Sequence, residues 1–159
     1  MLQYMPQVIG PWWAGTLDSD TRGVGVAATE SFKQTFTSPE KLQAVTKIYQ
    51  LPVLEYCRDA ILKETVNTLS DERTVSADDA EATYARVVST SLGVVAALLS
   101  SLPSDEMEKH ADVYASVLGE GQVLSLGAHK DLMIRRALFR LLRTALEKQK
   151  GTWMAVTFH

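Results

Sequence analysis

The 159-residue chain is poor in the residues that build reactive centres. It has one cysteine, Cys57, which closes no internal disulfide and cannot by itself build a zinc site. The three histidines, His110, His129 and His159, fall at no metal-ligand spacing. There is no Walker loop, no nucleophile elbow and no glycine fingerprint after a strand; "GVG" at residues 23–25 is too short. Sustained period-two alternation and Asn-Gly or Asp-Gly hairpins are missing, which argues against a β-rich fold. The formal charge of −3 gives no global basic signal for nucleic acid. No membrane segment is read: the most apolar run, residues 93–99, is about a third of what a bilayer needs. The start "MLQYMPQVIGPWW" lacks the basic lead and unbroken apolar core of a signal peptide. With a lone cysteine this points to a reducing compartment, and the expected location is the cytosol.

What is present is helical. Apolar residues make up 46% of the chain, enough for one domain with a real core. A first helix is expected over residues 6–17, bent at Pro11, and a second over residues 21–36, capped by Ser19 or Asp20 and weakened by Gly23 and Gly25. "TSPE" opens a third, with a capping box from Thr37 to Glu40, running toward Glu64 with a kink at Pro52. A long helix is predicted over residues 77–101, where Tyr84, Val88, Leu92, Val95, Leu99 and Leu102 form one apolar stripe. Ser104 is expected to cap a further helix with the stripe Met107, Ala111, Tyr114 and Leu118, stopped by Gly119. A turn through "GQVLSLG" then leads to a helix over residues 130–150. Its inner face is Ile134, Leu138, Leu141, Leu142 and Ala145, and Gly151 ends it.

Short connections between amphipathic helices imply antiparallel neighbours. Two segments share a pattern of helix, Asp in a turn, then a helix opened by small or basic residues: one turns at Asp20, the other at Asp131. That is the grammar of HEAT-type hairpins, though the 111 residues between the two turns are not a whole number of repeats. The fold expected is all-α, an α-solenoid fragment of HEAT/armadillo-like antiparallel helix pairs. It divides into first helices over residues 1–64, an acidic loop over 65–76, later helices over 77–151 and the start of a truncated helix over 152–159. Both ends are abruptly apolar, which reads as a piece of a longer protein with a tendency to self-associate. Trp12 and Trp13 point about 100° apart on a helix, and core packing across a hairpin boundary is their favoured role.

"TLSDERTVSADDAE", Thr68 to Glu81, carries five carboxylates and one base. A calcium loop needs carboxylates alternating around a glycine, and none is there. An acid/base pair needs a carboxylate with a shifted pKa in a pocket. The segment reads instead as a charged helix start: Ser76 has cap spacing to Asp79, and acidic residues in a first turn favour the helix dipole. Arg73, Ser76 and Asp79 are the candidates for ordering the loop. Cys57 reads as a buried small apolar residue, and His110 and His129 as surface or capping residues.

The charged feature that points outward is the last helix. From Lys130 to Lys150 there are seven bases and two acids, a net of +5. Arg136, Arg140 and Arg143 project within about 60° of each other, opposite the apolar face, with Glu147 on the same side. With Lys130 they form the candidate binding set, a stripe able to touch phosphate. No catalytic, metal or cofactor residue is assigned.

"IGPWWAGTLDSDTRGVGVAATESFKQTF", "VLEYCRDAILKET", "LSDERTVSADDAEATYARV" and "LGAHKDLMIRRALFRLLR" together resemble the N-terminal region of the listerin family, as it occurs in filamentous fungi. The resemblance covers roughly residues 5–143. The acidic loop is its most specific part, because no generic repeat consensus contains it. Gly23 and Gly25 depart from the alanine, arginine or serine expected in that helix. The resemblance implies a HEAT/armadillo-like solenoid in a RING-type E3 ubiquitin ligase of ribosome-associated quality control. Such ligases mark nascent chains on stalled large ribosomal subunits. It implies the large subunit, through rRNA or ribosomal protein, and a nascent-chain quality-control factor as partners. Zinc and the E2 belong to a distant C-terminal RING that one cysteine cannot supply. The alternative is an unrelated HEAT-type module that binds a protein or peptide in its groove.

Overall fold

The computed structural model describes Ile9, Gln34 and residues 38–119 and 121–157, with backbone alone for residue 42 and residues 149–157. The helices expected over residues 6–17 and 21–36, and the roles of Trp12 and Trp13, lie outside these residues. Among the described residues the fold is all-α, as expected. The helices are α1 (Pro39–Leu62), α2 (Val66–Leu69), α3 (Ala77–Ser101), α4 (Ser104–Glu108), α5 (Ala111–Leu118), α6 (Gly121–Ser125) and α7 (Leu132–Thr157), with a 3-10 turn at Leu126–Ala128 before α7.

α1 starts one residue later than the Thr37 box predicts. Ser38 is extended and its hydroxyl accepts from the Lys41 N–H at 3.2 Å, with Pro39 immediately inside. A proline at the first helical position makes its predecessor the cap. The expected kink is present: Tyr49 leaves helical geometry at φ −105°, ψ 15°. It lies three residues before Pro52, whose ring crowds the Ile48 carbonyl and offers it no N–H. Beyond the kink the helix holds Val53, Leu54, Cys57 and Ile61 in the core. It ends at Leu62, where the Lys63 and Glu64 N–H groups both fold back on the Asp59 carbonyl. The acidic loop then contains a helical turn the sequence does not announce. Thr65 and Thr68 cap each other reciprocally across α2.

α3 has its predicted bounds. Val88, Leu92, Val95, Leu99 and the adjoining Leu102 are buried, with Tyr84 packed against them. Ser91, Val94 and Leu98 are buried on its other side, so this helix is enclosed around most of its circumference. Enclosure explains its apolar character, which by length and composition would also suit a bilayer.

The helix expected from Ser104 is two. Pro103 takes the cap position, so Ser104 is already helical, and the chain breaks at Lys109 and His110. Of the expected stripe, Tyr114 is buried and Met107 and Leu118 pack against the core, while Ala111 is exposed; Val113 and Val117 complete the buried face. Gly119 ends α5 at φ −92°, without a left-handed turn. Its constraint is space: a Cβ there would stand 2.9 Å from the Ala115 carbonyl oxygen. "GQVLSLG" is not a bare turn; it forms α6 and the 3-10 turn, which bury Val123 and Leu126. α7 passes through Gly151, so the stop expected there is not made. A helical glycine costs roughly 1 kcal/mol, which need not end a helix.

Hydrogen bonds between distant segments fix the arrangement. Glu81, near the start of α3, pairs with Lys130 before α7, and the Leu102 carbonyl at its end accepts from Lys148. α3 and α7 therefore run parallel. On the other layer Gln50 bonds Tyr114 and the Leu62 carbonyl accepts from Gln122, so α1 runs parallel to the α5–α6 segment. Successive members of the series α1, α3, α4–α6, α7 alternate in direction. The result is two helix hairpins, α1/α3 and (α4–α6)/α7, laid side by side with like helices together. Leu54, Ile61, Leu92, Leu99, Val117, Ile134, Leu138 and Leu141 share the core between them.

Candidate functional site

The acidic segment opens a helix. The Ser76 hydroxyl accepts from the Asp79 N–H at 3.2 Å, and Asp78 and Asp79 stand in the first turn of α3. Asp71, which the sequence reading did not single out, accepts most of the hydrogen bonds within the loop. The Asp71 carboxylate accepts from the Arg73 N–H at 2.9 Å, and its carbonyl accepts from Thr74 and Val75 N–H groups. The Arg73 side chain pairs with the same carboxylate at 3.5 Å but is 88% exposed. Asp71 is legible in the sequence only as the first residue of an Asx turn. Among the described residues no group of three or more His, Cys, Asp or Glu could hold a metal. Cys57 is fully buried, and burial alone pushes its thiol far above the ordinary range, where it is a poor nucleophile. His129 has the capping role expected: its Nδ1 accepts from the Asp131 N–H at 3.0 Å, and its ring lies 6.0 Å from Tyr84.

The basic helix is smaller as a binding surface than its charge count. Lys130 is paired with Glu81. Arg143 is held by Glu147 at 3.2 Å. Arg135 turns back to donate to the His129 and Lys130 carbonyls at 2.7 and 3.0 Å, and Lys148 reaches the Leu102 carbonyl. Arg136 and Arg140 remain: both are exposed, and neither has a carboxylate partner among the described residues.

Beside them lies a feature that charge reading misses. Leu132, Phe139 and Leu146 are 48%, 58% and 59% exposed. Their seven-residue spacing places them in one row on the outer face of α7, a pattern visible in the sequence once the inner face is assigned. On the arginine side of this row a groove of about 610 Å³ opens between α7 and α3, edged by Arg136, Arg140 and Met133. The hydroxyls of Ser89, Thr90, Ser100 and Thr144 along it are all turned to carbonyls of their own helices. Apart from the two guanidiniums at its edge, its walls therefore offer methyl and methylene surface rather than free donors.

An all-α pair of helix hairpins, with a mixed apolar and basic helix face turned outward, defines a helical domain. The profile of the family described as "E3 ubiquitin-protein ligase listerin, N-terminal domain" matches residues 1–156. The chain is 34% identical over 145 residues, 91% of its length, to E3 ubiquitin-protein ligase listerin of Neurospora crassa. It is 31% identical over 87% of its length to listerin of Gallus gallus and 30% over 87% to that of Mus musculus. The chain belongs to the listerin N-terminal domain family, which sets aside an unrelated repeat module. It spans 8–9% of the length of these relatives.

Proposed function

We propose that this chain is a non-catalytic docking region of a listerin-type ubiquitin ligase acting on nascent chains of stalled large ribosomal subunits in the cytosol. Its two hairpins are the start of a HEAT/armadillo-like solenoid. The surface of α7 helps seat the ligase on the large subunit and its nascent-chain quality-control factor. The zinc-bearing RING that recruits the E2 lies elsewhere in the longer protein.

The observation that carries this reading is the outer face of α7, where Arg136 and Arg140, exposed and with no carboxylate partner among the described residues, stand beside an exposed apolar row. Family membership supports the ligase context. Of the four candidates, Lys130 and Arg143 act first within the fold, and they join the contact only by exchanging Glu81 and Glu147 for it. Co-sedimentation of the purified chain with purified large subunits, at low and high salt, tests the proposal. Binding that weakens with salt and is lost in the Arg136→Glu/Arg140→Glu variant is expected. A folded chain that binds no subunit at low salt overturns it.

A further inference from the structure

We infer that the outer face of α7 takes an amphipathic protein helix bearing carboxylates along one edge. This rests on the docking reading and names the class of partner. Leu132, Phe139 and Leu146 give an exposed apolar row two heptads long, about 21 Å along the helix axis. At 3.6 residues per turn, Arg136 and Arg140 stand on one side of that row, four residues and one turn apart. A helix laid along α7 buries the row with its own apolar stripe. Carboxylates four residues apart on its edge then meet the two guanidiniums.

Charge and surface chemistry select this occupant. Two guanidiniums, without a carboxylate partner among the described residues, release few counterions, so phosphate contact through them alone is weak. An RNA backbone would also leave the apolar row in water. A second copy packed antiparallel through this same face would bring arginine against arginine. The groove beside the row has its hydroxyls turned inward and offers no polar ligand a ladder of donors.

The test uses the 159-residue chain and synthetic helices of about three heptads with leucine every seventh residue. One peptide carries glutamates four residues apart beside the leucines; its control carries lysines there. Calorimetry is expected to show the glutamate peptide binding at least tenfold tighter. Arg136→Glu/Arg140→Glu should reverse the preference, and Phe139→Ser should weaken both peptides at least tenfold with the thermal transition unchanged. Equal binding of the two peptides, no binding of either, or a dimer of the chain that Phe139→Ser dissolves would each overturn the inference. So would a single-stranded RNA oligomer that binds in a Phe139-independent manner and displaces the glutamate peptide. A chain that captures the peptide but no large subunit refutes the docking reading and leaves this one standing.

Discussion

The contact between Gln50 and Tyr114 joins α1 to α5, and its energetics can be worked in advance. Gln50 is 1% exposed and Tyr114 5%. The Gln50 amide nitrogen donates to the Tyr114 hydroxyl at 2.7 Å, while its amide oxygen is buried without a partner among the described residues. Turning the amide over would let the hydroxyl donate to the oxygen and would orphan the nitrogen instead. Either way one buried polar atom is unsatisfied. A buried hydrogen bond contributes about 1 kcal/mol net, and an orphaned buried group costs about 1–3 kcal/mol. Tyr114→Phe breaks the bond and strands the whole amide, so a loss of about 2 kcal/mol is expected. For a chain of this size that lowers the midpoint by roughly 4–8 °C. Gln50→Met keeps an unbranched shape, removes the existing orphan and strands the hydroxyl. Those effects oppose each other, and the net change stays within about 1 kcal/mol. The double variant removes every polar atom of the pair and should match or exceed the parent's stability. Urea unfolding of the four proteins closes the cycle. If Tyr114→Phe costs about 2 kcal/mol in the Gln50→Met background as well, the pair is not coupled and the reasoning fails.

Ser76→Ala removes the cap of α3 and should cost about 1 kcal/mol in thermal or urea unfolding. Leu138→Ala, in the core, should cost about 2–5 kcal/mol, whereas Phe139→Ser, one residue on and facing outward, should stay within about 0.5 kcal/mol. Burial raises the folded-state pKa of Cys57 above the ordinary 9.0, so the folded chain keeps a proton that the unfolded chain releases. Stability from this group is whole below pH 9.0 and falls as pH rises above it, by up to about 1.4 kcal/mol per unit. Burial raises Tyr56 and Tyr114 as well, steepening the fall above pH 10.0. Urea unfolding of the parent and Cys57→Ala on both sides of pH 9.0 checks this, and parallel curves would refute it.

Periodicity made the long helices legible because each has one dominant environment. α3 was visible from cap to end, since Ser76 is a strong start and nothing interrupts its apolar spacing. The inner face of α7 was equally plain in Ile134, Leu138 and Leu141. The segment from Pro103 to Ala128 was not. Its four short elements are set by packing on α1 and α3, as Tyr114 reaches Gln50 and Gln122 reaches the Leu62 carbonyl. No local pattern encodes partners 60 or more residues away. The α2 turn escaped for another reason: Thr65 and Thr68 satisfy each other's N–H groups without any apolar repeat. At the candidate site the arginines were legible as charge. The Arg143–Glu147 pair was legible too, as a four-residue spacing, whereas the Lys130–Glu81 pair was not, because it forms through tertiary contact.

The two faces of α7 depend on one fixed rotation. Asp131 caps the helix by accepting the Met133 N–H at 2.8 Å. Arg135 locks the same turn from the other side through the His129 and Lys130 carbonyls. With that first turn held, residues 134, 138 and 141 fall into the core, and 132, 136, 139 and 140 fall outside. The six bases from Lys130 to Lys148, whose side chains are described, thus divide by task. Arg135 sets the register, Lys130 and Lys148 tie the helix to the two ends of α3, and Arg143 is neutralised along its own helix by Glu147. A surface with two guanidiniums left unpaired among the described residues is too small to recognise a polyanion by charge alone, and so the exposed apolar row beside them is the larger part of what the described part of α7 presents.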